Sequence, residues 1–322
     1  MHKRRLFLAL GATLAIGTPL AKAQEFPVRP IKLIVPYAAG GPTDTFARAL
    51  SDAWGKKLGT SMIVENRTGA GTLVGTEVAA KSAPDGYTIL LTTVAHAVNP
   101  SIQAKLPYRT VEDFAPVGLA AKAPLVIVVN KNLPVKDLPA FLQYIKDNPG
   151  KVNYGSAGVG SAPHLGAELL NYMTDSKAVH VPYRGSAPSM QDVIAGHLAF
   201  MIDSAPTGLA QVKAGSVRLL GTTMEQRLAQ TPDTPAVSEF VPQYEAYTWN
   251  AAFVPASTPA PIIAKLNSTL KAALADNHLQ QQAYDMGLLL EKNPTPQGLS
   301  AFLQSELDKW SKVAKAAHMT AN

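Results

Sequence analysis

Short apolar runs alternate along this chain with longer stretches whose apolar positions recur at three- and four-residue spacing. These are the signatures of buried strands and of helices with one buried face. The first run, Ile31, Leu33, Ile34 and Val35, predicts a strand that stops at Pro36, which has no N–H for a ladder. Gly40 and Gly41 follow as bare backbone. Pro42 and Thr43 then open a helix, with Thr43 the expected N-cap. Phe46, Ala47, Leu50, Ala53, Trp54 and Leu58 fall on one face of it. The same order of strand, small-residue loop and helix recurs twice more. Residues 152–154 lead through Gly155-Ser156-Ala157-Gly158-Val159-Gly160-Ser161 into a helix with Leu165, Leu169 and Met173 inward. Residues 179–181 lead through Tyr183 and Gly185 into a helix with Met190, Val193 and Ile194 inward.

Further strands are expected at 62–65, 87–92, 197–202 and 217–222, and further helices through Val74, Val78 and Ala79 and over 137–146. Two runs, 117–121 and 125–129, are apolar throughout and read as separate strands buried on both faces. Lys122-Ala123-Pro124 between them is a plausible hinge, and the apolar strand 247–255 is expected to make the return crossing. Near the C-terminus Thr295 caps a helix whose first position is Pro296, with Leu299, Phe302, Leu303, Trp310 and Val313 on one face. Alternation of strands and helices throughout argues for an α/β fold with mainly parallel sheets.

Residues 1–23 stand outside this pattern. Lys3, Arg4 and Arg5 precede a short apolar run, and Ala21-Lys22-Ala23 is a small-x-small cleavage site. Together they make a secretory signal too short to anchor in a membrane. Arg4-Arg5-Leu6-Phe7-Leu8 also fits twin-arginine export, and an ordinary signal with two arginines fits equally. Removing the leader changes the charge picture: +6 falls to +2 once Lys3, Arg4, Arg5 and Lys22 are gone. The basic balance is therefore weak evidence for nucleic acid or an anionic membrane as partner. The absence of cysteine excludes disulfides, a thiol nucleophile, a thiolate metal site and a lipid-modified N-terminal cysteine.

Three glycine-rich loops before helices make natural anion seats, because helix N-termini present unpaired N–H groups and the positive end of the dipole. No dense cluster of titratable residues accompanies them, which suits a binding cleft and not general acid–base catalysis. Gly69-x-Gly71-x-x-x-Gly75 is one residue too long for a dinucleotide fingerprint and reads as a packing turn. Ser156 or Ser161 with His164 and Asp203 could be written as a hydrolytic triad, but Gly-x-Ser-x-Gly is absent. His96, His164, His180 and His197 lack metal-ligand spacing, so no metal or cofactor is expected. Asp44, at a helix start, either favours the dipole or accepts a donor from a ligand.

Six motifs in order carry a family resemblance. They are Pro36-Tyr37-Ala38-Ala39-Gly40-Gly41-Pro42-Thr43-Asp44, Glu65-Asn66-Arg67-x-Gly69-Ala70-Gly71, Pro84-Asp85-Gly86-Tyr87-Thr88, Gly155-Ser156-x-Gly158-x-Gly160-Ser161, His180-Val181-Pro182-Tyr183-Arg184-Gly185, and Arg227 followed, with four residues between, by Pro232-Asp233-x-Pro235. The chain resembles the Bug-type periplasmic solute receptors of tripartite tricarboxylate transporters, over essentially the whole mature sequence. The resemblance implies a two-lobed type II binding-protein fold, with residues 24–123 and 246–322 in one lobe and 124–245 in the other. It implies a small carboxylate held between the lobes and passed to the large and small membrane subunits of the permease, by a periplasmic monomer that is not an enzyme. It carries the ligand contacts to Tyr37, Ala38, Ala39, Gly41, Thr43 and Asp44 in the first loop and to Ser156, Gly158, Gly160 and Ser161 in the second. Thr92, Ala95, His164, Tyr183 and Asp203 are further candidates. Thr72 departs from the pattern, standing where the family often has glycine. An exported serine hydrolase and an orphan sensor subunit presenting ligand to a membrane kinase are the competing readings.

Overall fold

Strand β1 (Ile31–Val35) buries every residue but Lys32. It lies between β2 (Met62–Asn66) and β3 (Thr88–Thr92), parallel to both. The computed structural model describes residues 26–183 and 185–321, so the leader assigned to residues 1–23 lies outside the described residues. Beyond β3 the sheet turns antiparallel. The next strands are β9 (Tyr247–Pro255) and β4 (Phe114–Asn130). Helices α1 (Pro42–Leu58) and α8 (Ala260–Leu274) cover one face, where Phe46, Trp54, Leu266 and Leu270 pack on Leu33, Val35 and Val254. On the other face α2 (Leu73–Ala80), α3 (Ala95–Ile102) and α10 (Pro296–Ala316) close over Ile34, Leu90 and Phe253.

The two runs expected as separate strands form one, β4, seventeen residues long. Its first half pairs with β9 as far as Pro124 opposite Tyr247. From Leu125 it pairs with β7 (Phe200–Ser204) and, on its other edge, with β8 (Val217–Thr222). Strands β5 (Asn153–Ser156) and β6 (Val179–Pro182) continue from β7, all three parallel. Each lobe thus has a parallel part, and antiparallel pairs surround the shared strand, so the sheets are mixed where mainly parallel ones were expected. Pro124, which has no N–H, sits where β4 exchanges one set of partners for the other.

That exchange is stitched by a single side chain. Thr223 Oγ1 accepts the Leu125 N–H at 3.1 Å and donates to the Leu125 carbonyl at 2.9 Å. The Thr223 carbonyl accepts from Ala246 N–H, one residue before β9. Both connections between the lobes therefore meet at one buried threonine. Helix α10 lies alongside, packed on α3 in one lobe and on α5 (Ala162–Thr174) in the other. Its buried Glu306 accepts the indole N–H groups of Trp249 and Trp310, both at 2.9 Å.

Two local expectations change. Helix α1 begins at Pro42 with Gly41 as N-cap, so Thr43 lies inside the first turn and caps nothing. Proline's fixed φ suits the first helical position, and the start moves back by one residue. Thr72 holds φ 83°, the left-handed region that glycine prefers, and Asn99 Nδ2 steadies it through the Thr72 hydroxyl and the Gly71 carbonyl. Four helices and strands escaped the pattern altogether: α3, α7 (Ala205–Lys213), α9 (Asn277–Asp285) and the two-residue β10 (Leu289–Leu290), which pairs with the first half of β4.

Thr223→Val keeps the shape and leaves the buried Leu125 N–H without its acceptor. A cost of about 1–3 kcal/mol is expected, read as a lower denaturation midpoint at unchanged secondary structure by circular dichroism.

Candidate functional site

The strand registers alone decide where the loops point. In the first lobe β4 runs parallel to β3, since each is antiparallel to β9, and it leaves that lobe past the end where β3 finishes. In the second lobe Ser204, the last residue of β7, sits opposite Leu125, the first residue of β4 beyond the exchange. The carboxyl ends of β1, β2 and β3 therefore face those of β5, β6 and β7 across the junction. Ligand loops of open α/β sheets belong at such edges.

Every helix that starts on these edges lacks a side-chain cap: α1 at Gly41, α2 at Thr72, α3 at Val94, α5 at Ser161, α6 (Ser186–Ala195) at Gly185, and α7 (Ala205–Lys213) at Ser204. Away from the junction, Asp137, Asp276 and Thr295 do cap α4 (Leu138–Asp147), α9 and α10; α8, behind Pro259, has none. Proline occupies one of the first two positions of α1, α5 and α7. The donors left in those first turns are the amides of Thr43 and Asp44, of Ala162 and His164, and of Ala205 and Thr207.

The first loop is braced from inside. Asp44 is buried and its carboxylate accepts Gly40 N–H at 2.8 Å, Asn66 Nδ2 at 2.9 Å and Arg48 Nε at 2.9 Å. The Arg48 hydrogen bond, then the Gly40 amide and Asn66, hold its pKa down to about 2 against the cost of burial. Asn66 also donates to the Tyr37 carbonyl at 3.0 Å. The Tyr37 hydroxyl lies 2.5 Å from Thr93 Oγ1, and burial pushes its pKa up to about 12. Asp44 and Tyr37 thus shape the loop, whose exposed residues are Ala38, Ala39 and Gly40; Gly41 is half-buried and its N–H donates to the Ala38 carbonyl at 3.3 Å. Thr92, fully buried at the end of β3, and Ala95, at the start of α3, adjoin it.

The second loop is braced the same way by different chemistry. Ser156 Oγ accepts Gly158 N–H at 3.0 Å and lies 2.6 Å from His180 Nε2. Gly160 N–H donates to His164 Nδ1 at 3.2 Å, and Ser161 Oγ donates to the Gly158 carbonyl at 2.6 Å. The amides of Gly158 and Gly160, expected to face a guest, are thus turned inward. Gly158 and Gly160 have φ of 120° and 75°, which glycine adopts without strain. Tyr183 hydrogen-bonds Asp192 at the flank of this lobe. Asp203 is buried at the end of β7; Oδ2 accepts from Thr207 at 2.6 Å while Oδ1 has no partner among the described residues. Burial raises its pKa, against the hydrogen bond from Thr207.

No triad forms. Ser161 spends its hydroxyl on Gly158, and His164 spends Nδ1 on Gly160. Among the described residues no group of three or more His, Asp or Glu could hold a metal. The sequence reading missed Ala162, Ala205 and Thr207 as sources of free amides. Prolines at positions 163 and 206, marking helix first turns, were the available signal.

A two-lobed α/β binding protein of type II, with uncapped helix starts on both sides of its junction, is the class that this fold and site define. The model of the tripartite tricarboxylate transporter family receptor matches residues 46–319. Protein BugT of Bordetella pertussis (strain Tohama I) is 34% identical over 98% of each chain. Among solved structures, R. palustris Rpa4515 with adipate superposes with a TM-score of 0.80 at 32% identity, covering 92% of this chain and 99% of that one. MatC from Rhodopseudomonas palustris with bound malate gives 0.77 at 32%, covering 89% and 99%. The chain belongs to the tripartite tricarboxylate transporter receptor family, a family of solute receptors and not of enzymes.

Asp44→Ala strips the Gly40 amide and Asn66 of their acceptor and should cost about 2–3 kcal/mol at neutral pH. The wild-type carboxylate has a depressed pKa, so its contribution is complete above the ordinary carboxylate range and fades as pH falls towards 2. Denaturation midpoints of wild type and variant should therefore differ between pH 5 and 7 and converge in strong acid.

Proposed function

We propose that this chain captures a small carboxylate between its lobes in the periplasm and delivers it to the large and small membrane subunits of a tripartite permease. The observation that carries the reading is the withheld caps: six helices start on the facing edges, none with a side-chain cap. The lobes are taken to divide at Pro124 and Tyr247, giving residues 24–123 with 246–322 and residues 124–245. Ala38, Ala39, Gly41 and Thr43 from one side and Ser161 with the first turn of α5 from the other form the proposed seat. Asp44, Ser156, Gly158, Gly160 and His164 hold its shape, with Tyr37, Thr92, Ala95, Tyr183 and Asp203 at its margins.

None of these candidates is a lysine or arginine. Main-chain donors at a helix start contribute about 0.3–1 kcal/mol each way through the dipole, less than a buried guanidinium fork. A receptor that must surrender its cargo is served by such a seat. Closure follows binding because a guest touching both lobes prefers the closed state. The two related structures with adipate and malate support a dicarboxylate as the first compound to try.

Native mass spectrometry of freshly purified protein should reveal a bound acid, and a thermal-shift panel of mono-, di- and tricarboxylates should single out one stabilising class. A ligand at a hundred times its Kd adds about 2.7 kcal/mol. Thr43→Pro removes one free amide at a helix position that tolerates proline, so affinity should fall about tenfold or more with the fold intact. Unchanged affinity would count against the seat.

A further inference from the structure

Beneath the second loop lies a cluster of near-parallel rings whose side-chain polar links, among the described residues, are to that loop and to one carboxylate. His164 and His180 stack with centroids 3.9 Å apart and planes 24° from parallel. Tyr154 lies beside the pair, its ring centroid 5.0 Å from that of His180 and 6.5 Å from that of His164, with planes 22° and 19° from parallel. The three side chains come from three elements, α5, β6 and β5, so the stack ties the loop to the sheet edge. His164 is buried, and His180 is partly so.

Hydrogen bonding fixes the state of the first ring. Nδ1 of His164 accepts the Gly160 N–H, so it carries no proton. The ring proton is on Nε2, which faces Glu168 Oε1 at 4.0 Å. The second ring holds the other arm of the loop through Ser156 Oγ, which in turn accepts the Gly158 amide. We propose that His164 and His180 are positioning residues for the anion seat, and that acid dismantles it when His164 is protonated on Nδ1. An Nδ1–H would face the Gly160 N–H, two donors meeting with no acceptor between them. His180 tolerates a proton better, because Ser156 Oγ can accept from it and donate to the Gly158 carbonyl.

The charged and titratable surroundings oppose that proton. Among the described residues they are His180 on β6, Tyr154 on β5, and Glu168 one turn along α5. The Tyr154 hydroxyl donates to Glu168, and burial raises the pKa of that carboxyl, so it is a poor counter-ion. Its outer side opens on a hollow shared with Asp175 and Lys177. Burial first, and then the His180 ring, push His164 down to about 3; burial pushes His180 down to about 4. Both rings are neutral at pH 7. Since the unfolded chain binds their protons from about 6.5 downward, the native state loses stability as pH falls below that value.

The proposal rests on the seat described above, but its test needs no ligand. Asn places its Oδ1 where His places Nδ1 and does not titrate, so His164→Asn keeps the acceptor, whereas His164→Leu deletes it. Hydrogen exchange of the Gly160 amide at pH 7 should be within about threefold of wild type in His164→Asn and at least tenfold faster in His164→Leu. The fall of the denaturation midpoint between pH 6.5 and 4 should be shallower in His164→Asn than in wild type. Equal exchange in all three proteins, or the same acid slope in wild type and His164→Asn, overturns the role of the ring. If His164→Leu fails to fold, the comparison of acid slopes decides alone. A positive result here with no carboxylate bound in the thermal-shift panel would leave the positioning pair standing and remove the transport reading.

Discussion

One continuous strand governs this molecule. Because β4 passes from one sheet to the other without a break, the register on either side of Pro124 fixes how the two sets of carboxyl ends are aimed. A register slip of one residue would exchange the faces of every side chain along the strand. Val126, Ile127, Val128 and Val129 are all buried, so neither face offers a polar alternative. The second connection enters β9 through Ala246 and is joined to the first through Thr223. Rotation of the lobes must therefore be a bend about that one place, with α10 and its Glu306–Trp249–Trp310 node lying against it.

Aiming helix starts at a shared gap creates a problem for the protein alone. Each first turn has orphan amides, and a serine or aspartate cap would satisfy them at a gain of about 1 kcal/mol. Away from the junction the sequence takes that gain, at Asp137, Asp276 and Thr295. At the junction it uses glycine, a valine, or a threonine or serine whose hydroxyl is engaged elsewhere, Thr72 taking a hydrogen bond from Asn99. Ser161 donates to Gly158, and Ser204 lies against Thr207. The loops that present these starts are still rigid, because other groups hold them from behind. A carboxylate does so in one lobe, and a serine–histidine pair and a second imidazole do so in the other.

Much of this was legible in the residues. The strands at 217–222 and 247–255 and the Thr295–Pro296 helix start stand where the pattern placed them, since each has a strong local signal. The resemblance gave the family, and the glycine preference at position 72 reappears as the positive φ of Thr72. What escaped needed tertiary information. Lys122-Ala123-Pro124 looks like a break, yet ladder partners on both sides carry the strand through it. Helix α3 contains Pro100 and α9 is largely polar, so neither shows a clean apolar stripe. At the site, sequence marks the glycines but not the direction of their amides. Gly158 and Gly160 donate inward because Ser156 and His164, two and four residues away, offer acceptors there.

The two braces differ in how they answer to protons, and that difference follows from which atom accepts. Asp44 accepts with an anion already stabilised by Arg48, so it keeps its hold until strong acid. His164 accepts with a neutral nitrogen lone pair, which a single proton abolishes. Burial delays that proton but also denies the ring any solvent that could screen the charge once it arrives. A carboxylate behind the second loop would have held Gly160 as well, yet it would have set a full negative charge behind a seat meant for an anion. At the first loop the same charge is offset by the Arg48 side chain. No such cation pairs with Glu168 among the described residues, and it takes a hydrogen bond from Tyr154 instead. A neutral acceptor is thus the brace that leaves the second lobe's helix start electrostatically open, and sensitivity to acid comes with it.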